Sequence, residues 1–361
     1  MEIVKLNRQQ LNDYIHSDEY KIIPHVPVSF HRGISHINNP RVNDNDTLLI
    51  LIYEKELIGY LGILPDHVFI NNVPIHMGWM SCIWTHPNAR GKGIAKLLTQ
   101  TSIELYNNRI FCTEFTPEAE TLYNKLGAFH SLVNKNGIRI YRRSCFQTIL
   151  HSRHPKASFL FPLLSLYDAT INAFHDLFLR KKQKLSKNYS IEFPALPEES
   201  CYYLMKNLNK NELTQRGQKE MDWFFQYPWI KETPAPSPES KRYQFSSEAH
   251  SFKPIIVKIK QNIELVAFLI VMVRENYMKT PYIYVKPGHE EVVAETINNL
   301  MYKYKIDILT TYQQSIINHF EKNISYLFYK NIIRKYLQSK GFNLTVHEAM
   351  LQDGDGDCGF T

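Results

Sequence analysis

Residues 79–98, WMSCIWTHPNARGKGIAKLL, join an apolar segment to a glycine-containing basic loop and an amphipathic helix. The apolar part is typical of a buried strand. Gly91 and Gly93 allow the backbone N–H groups of the turn to face one ligand without interference from a Cβ atom. The start of the following helix adds the positive end of its dipole, with Arg90 and Lys92 as supporting charges. The pattern predicts a site for a phosphorylated ligand.

The spacing of the loop separates it from two other phosphate-binding motifs. It lacks the Gly-Lys-Ser/Thr of a Walker loop and the three-glycine spacing of a dinucleotide fingerprint. Arg90, Gly93 and Ala95 fit the pattern Arg-x-x-Gly-x-Gly/Ala, and the segment resembles the GCN5-related N-acetyltransferases (GNAT). A solvated basic turn that caps a helix is the simpler interpretation of the loop alone, so the surrounding elements matter.

The order of predicted elements around the loop supports the resemblance. Alternation and turn residues predict three antiparallel strands, a helix and a fourth strand, over residues 47–53, 57–68, 73–85, about 90–106, and 109–114. Thr116 and Pro117 then predict the start of a second helix, which Gly127 ends. The resemblance covers residues 1–148.

A second signature of the family is matched by TLYNKLGAFH, with Tyr123 and Gly127 in the corresponding places. The resemblance implies that acetyl-CoA lies between two splayed parallel strands, with its pantetheine arm along residues 80–85 and a backbone N–H of that strand on the thioester oxygen. It implies that Tyr123 protonates the departing thiolate, although a core tyrosine is the structural alternative. The implied cofactor-binding residues are Ile83, Trp84, Thr85, Arg90, Gly91, Lys92, Gly93, Ile94, Ala95 and Thr116.

The general base is left open by the sequence. His86 and Glu114 are candidates near strand ends, as are His76 and Asp66, and a water chain is the alternative to any of them. Some two-domain acetyltransferases of the intracellular-survival type use their terminal carboxylate, so the resemblance adds Thr361. This chain departs from those enzymes, which end in an aromatic residue.

The C-terminal sequence LQDGDGDCGFT alternates acidic residues with glycines. Asp353, Asp355 and Asp357 resemble part of a calcium loop, but the distal glutamate is missing, so we predict no metal. The tail could attract a cationic amine, but a solvated terminus is the expectation. Cys82 is expected to be a buried strand residue, because direct attack by an amine needs no acyl-enzyme.

The second half repeats the predicted element order without the glycine loop, since residues 287–290 read Pro-Gly-His-Glu. The predicted fold class is α+β, with a mixed, mostly antiparallel sheet flanked by helices, which is the acyl-CoA N-acyltransferase fold in two copies. The predicted domains are a catalytic domain at 1–148, a helical linker at 149–198 and a degenerate copy at 199–361 that does not bind acetyl-CoA.

Residues 151–187 carry apolar side chains at helical spacing, followed by the basic run at 180–184. One interpretation is a linker helix packed on both domains, and the other is a helix lying on a membrane surface. Asp168, Asn172, His175 and Asp176 interrupt the apolar pattern. We therefore favour packing and expect no membrane contact.

Composition restricts the class of protein. The chain has 361 residues and a formal net charge of +7, which does not indicate nucleic-acid binding. Five cysteines without metal-ligand spacing, and an N-terminus without an apolar core, favour a cytoplasmic protein with reduced thiols. The longest apolar run, residues 265–273, is about half of the roughly 20 residues that a membrane-spanning helix needs.

The expected function is transfer of an acetyl or short acyl group from acetyl-CoA to a primary amine of a small molecule or peptide. Two alternatives stay open. One is a non-catalytic acyl-CoA sensor with a partner-binding second domain. The other is an aminoacyl or peptidyl transferase, a class that commonly lacks the glycine loop in its active half.

Overall fold

The structure is a computed structural model, and it describes residues 1–179, 188–323, 326–342, 344 and 351–360. The basic run at 180–184 and Thr361 lie outside these residues. Within them, no helix has the length and apolar character needed to cross a membrane.

The first third of the chain contains most elements predicted around the glycine loop. The strands are β1 (Glu2–Leu6), β2 (Leu49–Tyr53), β3 (Leu57–Ile70), β4 (Val73–Thr85), β5 (Ile110–Thr113) and β6 (Phe129–Tyr141). The helices are α1 (Arg8–His16), α2 (Asp18–Ile22), α3 (Phe30–Ile37), α4 (Ile94–Leu105) and α5 (Pro117–Leu126).

The rest of the chain adds eight strands and seven helices among the described residues. The strands are β7 (Tyr189–Glu192), β8 (Lys231–Glu232), β9 (Glu248–Ala249), β10 (Phe252–Gln261), β11 (Glu264–Arg274), β12 (Tyr277–Val285), β13 (Ile308–Thr311) and β14 (Phe328–Ser339). The helices are α6 (Phe146–Arg153), α7 (Phe161–Leu179), α8 (Glu199–Leu208), α9 (Gln218–Gln226), α10 (Pro238–Arg242), α11 (Glu290–Lys303) and α12 (Gln314–Asn323).

The chain forms two compact units that do not coincide with the predicted segments 1–148, 149–198 and 199–361. Unit 1 consists of Met1–Lys135, Met205–Phe252 and Arg334–Thr361, and unit 2 of Asn136–Leu204 and Lys253–Ile333. Both units are built from separated stretches of chain. Hydrophobic periodicity identifies elements but not the long-range strand pairing that decides such a division.

The sheet of unit 1 has the strand order β1-β2-β3-β4-β5-β14. Only β4 and β5 are parallel, and β14 closes the sheet antiparallel to β5, with Tyr336 opposite Thr113. Helices cover both faces of this sheet, because alternate residues of β2 enter two cores. Leu49 and Leu51 pack with α1 and α2, whereas Ile50 and Ile52 pack with α4 and α5.

Unit 2 repeats this arrangement with the order β6-β13-β12-β11-β10-β7, in which β12 and β13 are parallel. Its core joins β11 to α11 and α12 through an apolar cluster that includes Leu269, Val271, Ile297, Met301 and Phe320. The predicted fold class, a duplicated and mostly antiparallel mixed sheet flanked by helices, is confirmed.

The helix after the glycine loop begins four residues later than predicted, at Ile94 rather than near residue 90. Residues Pro87–Ala89 form a 3₁₀ turn, and Gly91 and Gly93 have φ angles of 80° and 83°. Because these angles lie in the left-handed region, neither glycine continues a right-handed helix. Gly93 is the N-cap residue of α4.

Candidate functional site

The two parallel strands of unit 1 separate near the middle of the sheet. β4 pairs with β5 only at Gly78 opposite Ile110 and at Trp79 opposite Phe111, although β4 continues to Thr85. Residues 80–85, the segment predicted to bind pantetheine, therefore run along an opening between the two strands. A strand edge that leaves its neighbour presents backbone N–H and C=O groups, which an amide-containing ligand can satisfy.

A β-bulge distorts β4 at the start of this opening. Between the pairs Tyr60–Trp84 and Gly62–Ser81, β4 contains one more residue than β3, and Cys82 has a φ angle of 53°. Bulges redirect side chains and interrupt pairing next to functional sites. Cys82 was expected to be buried, but it is half-buried and faces a cavity, because the bulge turns it away from the regular alternation.

The glycine loop leads directly from β4 into α4. Among the described residues, no atom lies within 4 Å of a Cβ atom built on Gly91 or Gly93, so their positive φ angles, and not crowding, require glycine. The first N–H groups of α4 have no partner within the helix and are available to an anion. Arg90 and Lys92 are exposed beside them, whereas Ile94 packs into the core.

A cavity of about 110 Å³ lies in the opening between β4 and β5. It brings together Ile83 and Thr116 from the predicted cofactor site with Tyr123 and Glu114 from the predicted catalytic residues. Its other lining residues are Leu61, Met80, Ser81, Cys82, Cys112, Thr113, Phe115, Ala119, Phe245 and Asp357. Trp84 and Thr85 continue along β4, and Trp84 stacks on Tyr60.

Helix α5 positions Tyr123 at the cavity. The Thr116 side chain caps the helix by accepting from the N–H of Ala119 at 3.3 Å, and Gly127 ends it with a φ of 59°, as predicted. The Tyr123 ring is buried between Phe115 and Phe129. Burial raises the pKa of Tyr123, so its phenol stays protonated at neutral pH.

The C-terminal tail forms another part of the cavity wall, which overturns the expectation of a solvated terminus. Residues 351–356 are buried in unit 1. Asp357 lines the cavity, and its Oδ2 accepts from the Ser81 hydroxyl at 2.5 Å. Burial raises the pKa of Asp357, although Arg32 and Ser81 oppose that shift. A carboxylate and the Tyr123 phenol thus lie on walls of the same cavity.

The other two acidic residues of the tail hold it in place. Asp353 pairs with Lys135 at 2.7 Å, and Asp355 accepts from Thr214 at 2.8 Å and from Arg216 at 3.2 Å. Gly356 has a φ of 77°, and a Cβ atom built on it would lie 3.3–3.4 Å from the Trp79 ring and the Thr113 methyl group. The alternation that resembled a calcium loop therefore has a different physical origin. Two carboxylates anchor the tail, and glycine allows its turns.

The anchor of Asp355 belongs to a larger buried ion-pair cluster around Asp66. Arg216 binds both carboxylate oxygens of Asp66, at 2.9 and 2.7 Å, and Arg41 binds Oδ1 at 2.7 Å. Trp79 donates to Oδ2 at 2.9 Å. Burial alone would raise the pKa of Asp66, but the two guanidinium groups and Trp79 lower it well below its usual value. Asp66 is committed to this cluster and is not available as a base.

Two further base candidates are also engaged in other contacts. His76 pairs with Asp46 at 2.9 Å and does not line the cavity. The Nδ1 of His86 accepts from the N–H of Asn88 at 3.2 Å, where it caps the 3₁₀ turn, and His86 is likewise absent from the cavity wall.

The remaining predicted bases have different outcomes. Glu114 does reach the cavity, and it follows β5 with a φ of 50°. Its carboxylate is paired with Arg334, which is itself buried. Thr361 lies outside the described residues, so a role for the terminal carboxylate stays a prediction.

Sequence reasoning did not identify Arg32, a buried cation beside the cavity. Its Nη2 donates to Ser81 at 2.5 Å and its Nη1 to Tyr243 at 3.3 Å, while its guanidinium stacks on Trp229 at 3.8 Å from the ring centroid. Ser81 thus links Arg32 to Asp357. No local motif marks Arg32, because its partners come from distant stretches of the sequence.

The corresponding loop of unit 2 is not suited to phosphate. It has one glycine with a positive φ, Gly288 at 89°, and the N–H of Gly288 donates to the Glu290 carboxylate at 2.9 Å. An anion would meet an occupied amide and a negative charge. Between β12 and β13, Thr280 and Thr311 form a side-chain hydrogen bond at 2.9 Å just beyond the last paired residues. These features support the prediction of a degenerate second copy.

Comparisons with known proteins give one family. Residues 12–128 match the acetyltransferase (GNAT) family. A comparison with curated proteins gives no match. Among solved structures, the chain is similar to a GCN5-related N-acetyltransferase from Anabaena variabilis ATCC 29413, at 12% identity and a TM-score of 0.48, over 93% of this chain and 71% of that one.

Two other solved structures have comparable similarity. A tandem GNAT protein from the clavulanic acid biosynthesis pathway aligns at 13% identity and a TM-score of 0.49, over 93% of this chain and 97% of that one. A GCN5-related N-acetyltransferase from Kribbella flavida aligns at 9% identity and a TM-score of 0.47, over 93% of this chain and 70% of that one.

Proposed function

We propose, on the premise that residues 12–128 match the acetyltransferase (GNAT) family, that the protein transfers an acetyl or short acyl group from acetyl-CoA to a primary amine. The observation that carries the proposal is the cavity in the opening between β4 and β5, whose wall holds both the Tyr123 phenol and the Asp357 carboxylate. All five cysteines are free thiols, which is compatible with a reaction in the reducing cytoplasm.

The donor binds across the glycine loop and the opened strand. The N–H groups at the start of α4 bind the pyrophosphate of acetyl-CoA, supported by Arg90 and Lys92. The pantetheine arm pairs with the free edge of β4 over residues 80–85, and a backbone N–H of that segment polarises the thioester oxygen. The thioester then lies in the cavity lined by Tyr123 and Asp357.

The acceptor is a primary amine that arrives as an ammonium ion. Asp357 binds this cation and takes one proton from it, and its raised pKa favours that transfer. The neutral amine attacks the thioester carbonyl, so that a C–N bond forms and the C–S bond breaks. The thiolate receives a proton from Tyr123, and the amide nitrogen loses its extra proton to solvent. The proton held by Asp357 then returns to the Tyr123 phenolate through solvent, which restores both groups. Direct attack of this kind needs no covalent role for Cys82.

The proposal is tested by incubating the full chain with acetyl-CoA and a panel of primary amines, including diamines and peptides with a free N-terminus. Amine-dependent release of the CoA thiol is the expected result. Tight acetyl-CoA binding without turnover on any amine would favour the non-catalytic sensor. Turnover that requires an aminoacylated tRNA would instead favour an aminoacyl transferase.

Gly93→Asp is expected to weaken acetyl-CoA binding at least about tenfold, because it adds a negative charge and a strained φ where a phosphate should bind. The measurement is calorimetric titration with acetyl-CoA. Gly288→Asp is the matched control, since Gly288 has a φ of 89° and equally open surroundings but lies in the loop of unit 2. Unchanged affinity in Gly93→Asp would contradict the phosphate site.

Tyr123→Phe is expected to lower kcat by about 10²-fold while the Kd for acetyl-CoA stays near that of the wild type, because it removes only the proton donor. Steady-state kinetics and calorimetry separate the two quantities. Tyr53→Phe is the control, since its hydroxyl contacts Glu19 and not the cavity. Undiminished turnover in Tyr123→Phe would remove the phenol from the reaction.

A further inference from the structure

Helix α7, Phe161–Leu179 in unit 2, has its polar and apolar faces reversed relative to an ordinary surface helix. Among its described side chains, the two that are buried are polar, Asp168 and Asn172. Four of its large apolar side chains face outward, since Leu163, Leu166, Phe174 and Leu177 are each 60–67% exposed. A surface helix normally buries the apolar stripe and exposes the polar one.

The inward face of α7 is fixed by specific hydrogen bonds. Asp168 accepts from the Ser144 hydroxyl at 2.5 Å and from two backbone N–H groups at the start of α6, while Asn172 exchanges hydrogen bonds with the Ser144 backbone. Asp176 forms an ion pair with Arg143 at 2.5 Å. Residues 168, 172 and 176 lie four apart and so share one side of the helix. The orientation of α7 is therefore set by its polar residues.

Three of the four polar residues that interrupt the apolar pattern of the sequence do not lie on the exposed face, and the side chain of the fourth, His175, lies outside the described residues. Asp168, Asn172 and Asp176 had favoured packing of the helix over contact with a membrane, but all three face the protein. The outward face keeps Leu166, Phe174 and the other exposed apolar side chains, and the 3₁₀ segment before α7 adds Phe159. Several large apolar side chains exposed on one side of a helix are typical of an interaction surface.

The sequence on both sides of α7 carries positive charge. Lys156, before α7, is exposed, and Arg-Lys-Lys-Gln-Lys follows Leu179 in the sequence, outside the described residues. The two carboxylates of α7 are engaged with Ser144 and Arg143 on the inward side. An apolar and aromatic helix face with basic residues adjacent in the sequence complements an anionic lipid surface, in which apolar side chains enter the acyl boundary and cations meet the headgroups.

We propose that α7 docks flat on an anionic membrane surface, with Leu163, Leu166, Phe174 and Leu177 inserted at the headgroup level. At about 1.5 Å per residue, the helix would lie along roughly 28 Å of the surface. This binding mode is peripheral, since no described helix can span a membrane. It is independent of the acyl-transfer site, which lies in unit 1.

The test is flotation of the full chain with vesicles of phosphatidylcholine alone or with about one-third phosphatidylglycerol. At least about tenfold more protein is expected on the anionic vesicles at low salt, with a decrease as salt screens the charges. The double variant Leu166→Glu/Phe174→Glu is expected to reduce that binding at least about tenfold. The matched control is Ile263→Glu, since Ile263 is 97% exposed in the turn between β10 and β11.

Several outcomes would overturn the proposal. These are absence of wild-type binding to anionic vesicles, equal binding to both vesicle types, and wild-type binding by the double variant. Light scattering tests the alternative that the apolar face of α7 binds a second copy of the chain. A wild-type dimer that the double variant converts to monomer, without vesicle binding, would assign the face to self-association. Thermal unfolding is measured for both variants. Midpoints close to that of the wild type would show that a loss of vesicle binding is not caused by unfolding.

Discussion

Asp357→Asn is expected to lower kcat for amine acetylation by about 10²-fold, within the range typical for removal of a general base. The variant keeps a side-chain oxygen that can accept from Ser81, as Oδ2 does at 2.5 Å in the native protein. It loses the charge that binds the ammonium ion and the site that receives its proton. Acetyl-CoA affinity is expected to change less than about threefold, because the glycine loop and not Asp357 holds the phosphates.

The pH profile distinguishes a catalytic carboxylate from a structural one. Burial raises the pKa of Asp357, so wild-type activity should fall as the pH is lowered through that raised value, and this acid limb should be lost in Asp357→Asn. A raised folded-state pKa means that the ionised carboxyl destabilises the fold at neutral pH. The asparagine variant should therefore be at least as stable as the wild type at pH 7.

The control for this variant is Asp44→Asn. The Asp44 side chain is 94% exposed, and its Oδ1 lies 3.9 Å from Nη1 of Arg8. It makes the same chemical change away from the cavity and should retain wild-type kcat. If Asp357→Asn kept full activity and an unchanged pH profile, Asp357 would be only a wall residue. Reduced activity together with a large loss of stability would instead indicate that Asp357 holds the tail.

Asp66→Ala is expected to destabilise the protein by about 3–5 kcal/mol, the usual cost of leaving buried charges without their partner. It removes the carboxylate that binds both Arg41 and Arg216, whose side chains are 5% and 7% exposed. Because Arg216 also binds Asp355, the C-terminal tail should lose part of its anchor. Urea denaturation monitored by tryptophan fluorescence measures the change in the free energy of unfolding.

The loss of stability caused by Asp66→Ala should be smaller at acidic pH than at neutral pH. Arg216 and Arg41 lower the folded-state pKa of Asp66 against the effect of burial. A carboxylate with a lower pKa in the folded than in the unfolded state stabilises the fold when the pH is above its unfolded-state pKa of about 4. That stabilisation is lost as the pH falls through its folded-state pKa. The difference between wild type and variant should thus be largest near pH 7 and shrink below about pH 4.

Asp18→Ala serves as the control, because Asp18 is 95% exposed and forms an exposed ion pair with Lys21. Its unfolding midpoint should match that of the wild type, since exposed ion pairs contribute little. A destabilisation of Asp66→Ala no greater than that of Asp18→Ala would show that the cluster is not essential for the fold.

Much of the donor half of the site was predictable because its signals are local. The φ angles of Gly91 and Gly93, the Thr116 cap and the Gly127 helix end depend on residues within one or two turns. Periodicity also located the strands on either side, since alternate residues bury and expose regularly. The exception was Cys82, because the sequence does not reveal the register shift that creates the bulge.

The acceptor half was predictable only in part, because its members meet across the fold. Arg32, Ser81 and Asp357 are separated by tens to hundreds of residues, and no spacing relates them. The acidic tail looked like a solvated terminus, since short Asp-Gly alternation carries no periodic apolar signal. Its burial depends on Lys135, Thr214 and Arg216, which compensate its charges.

The sequence by itself determined the element order, the duplicated mixed sheet and the glycine loop, because local backbone preferences and side-chain periodicity encode these features. Only the tertiary structure decided which strands close each unit, that the tail enters the cavity with Asp357, and that α7 faces outward with its apolar side. These outcomes depend on long-range hydrogen bonds and ion pairs. Such bonds can bury Asp168 or Asp355 and override the pattern that polarity alone would predict.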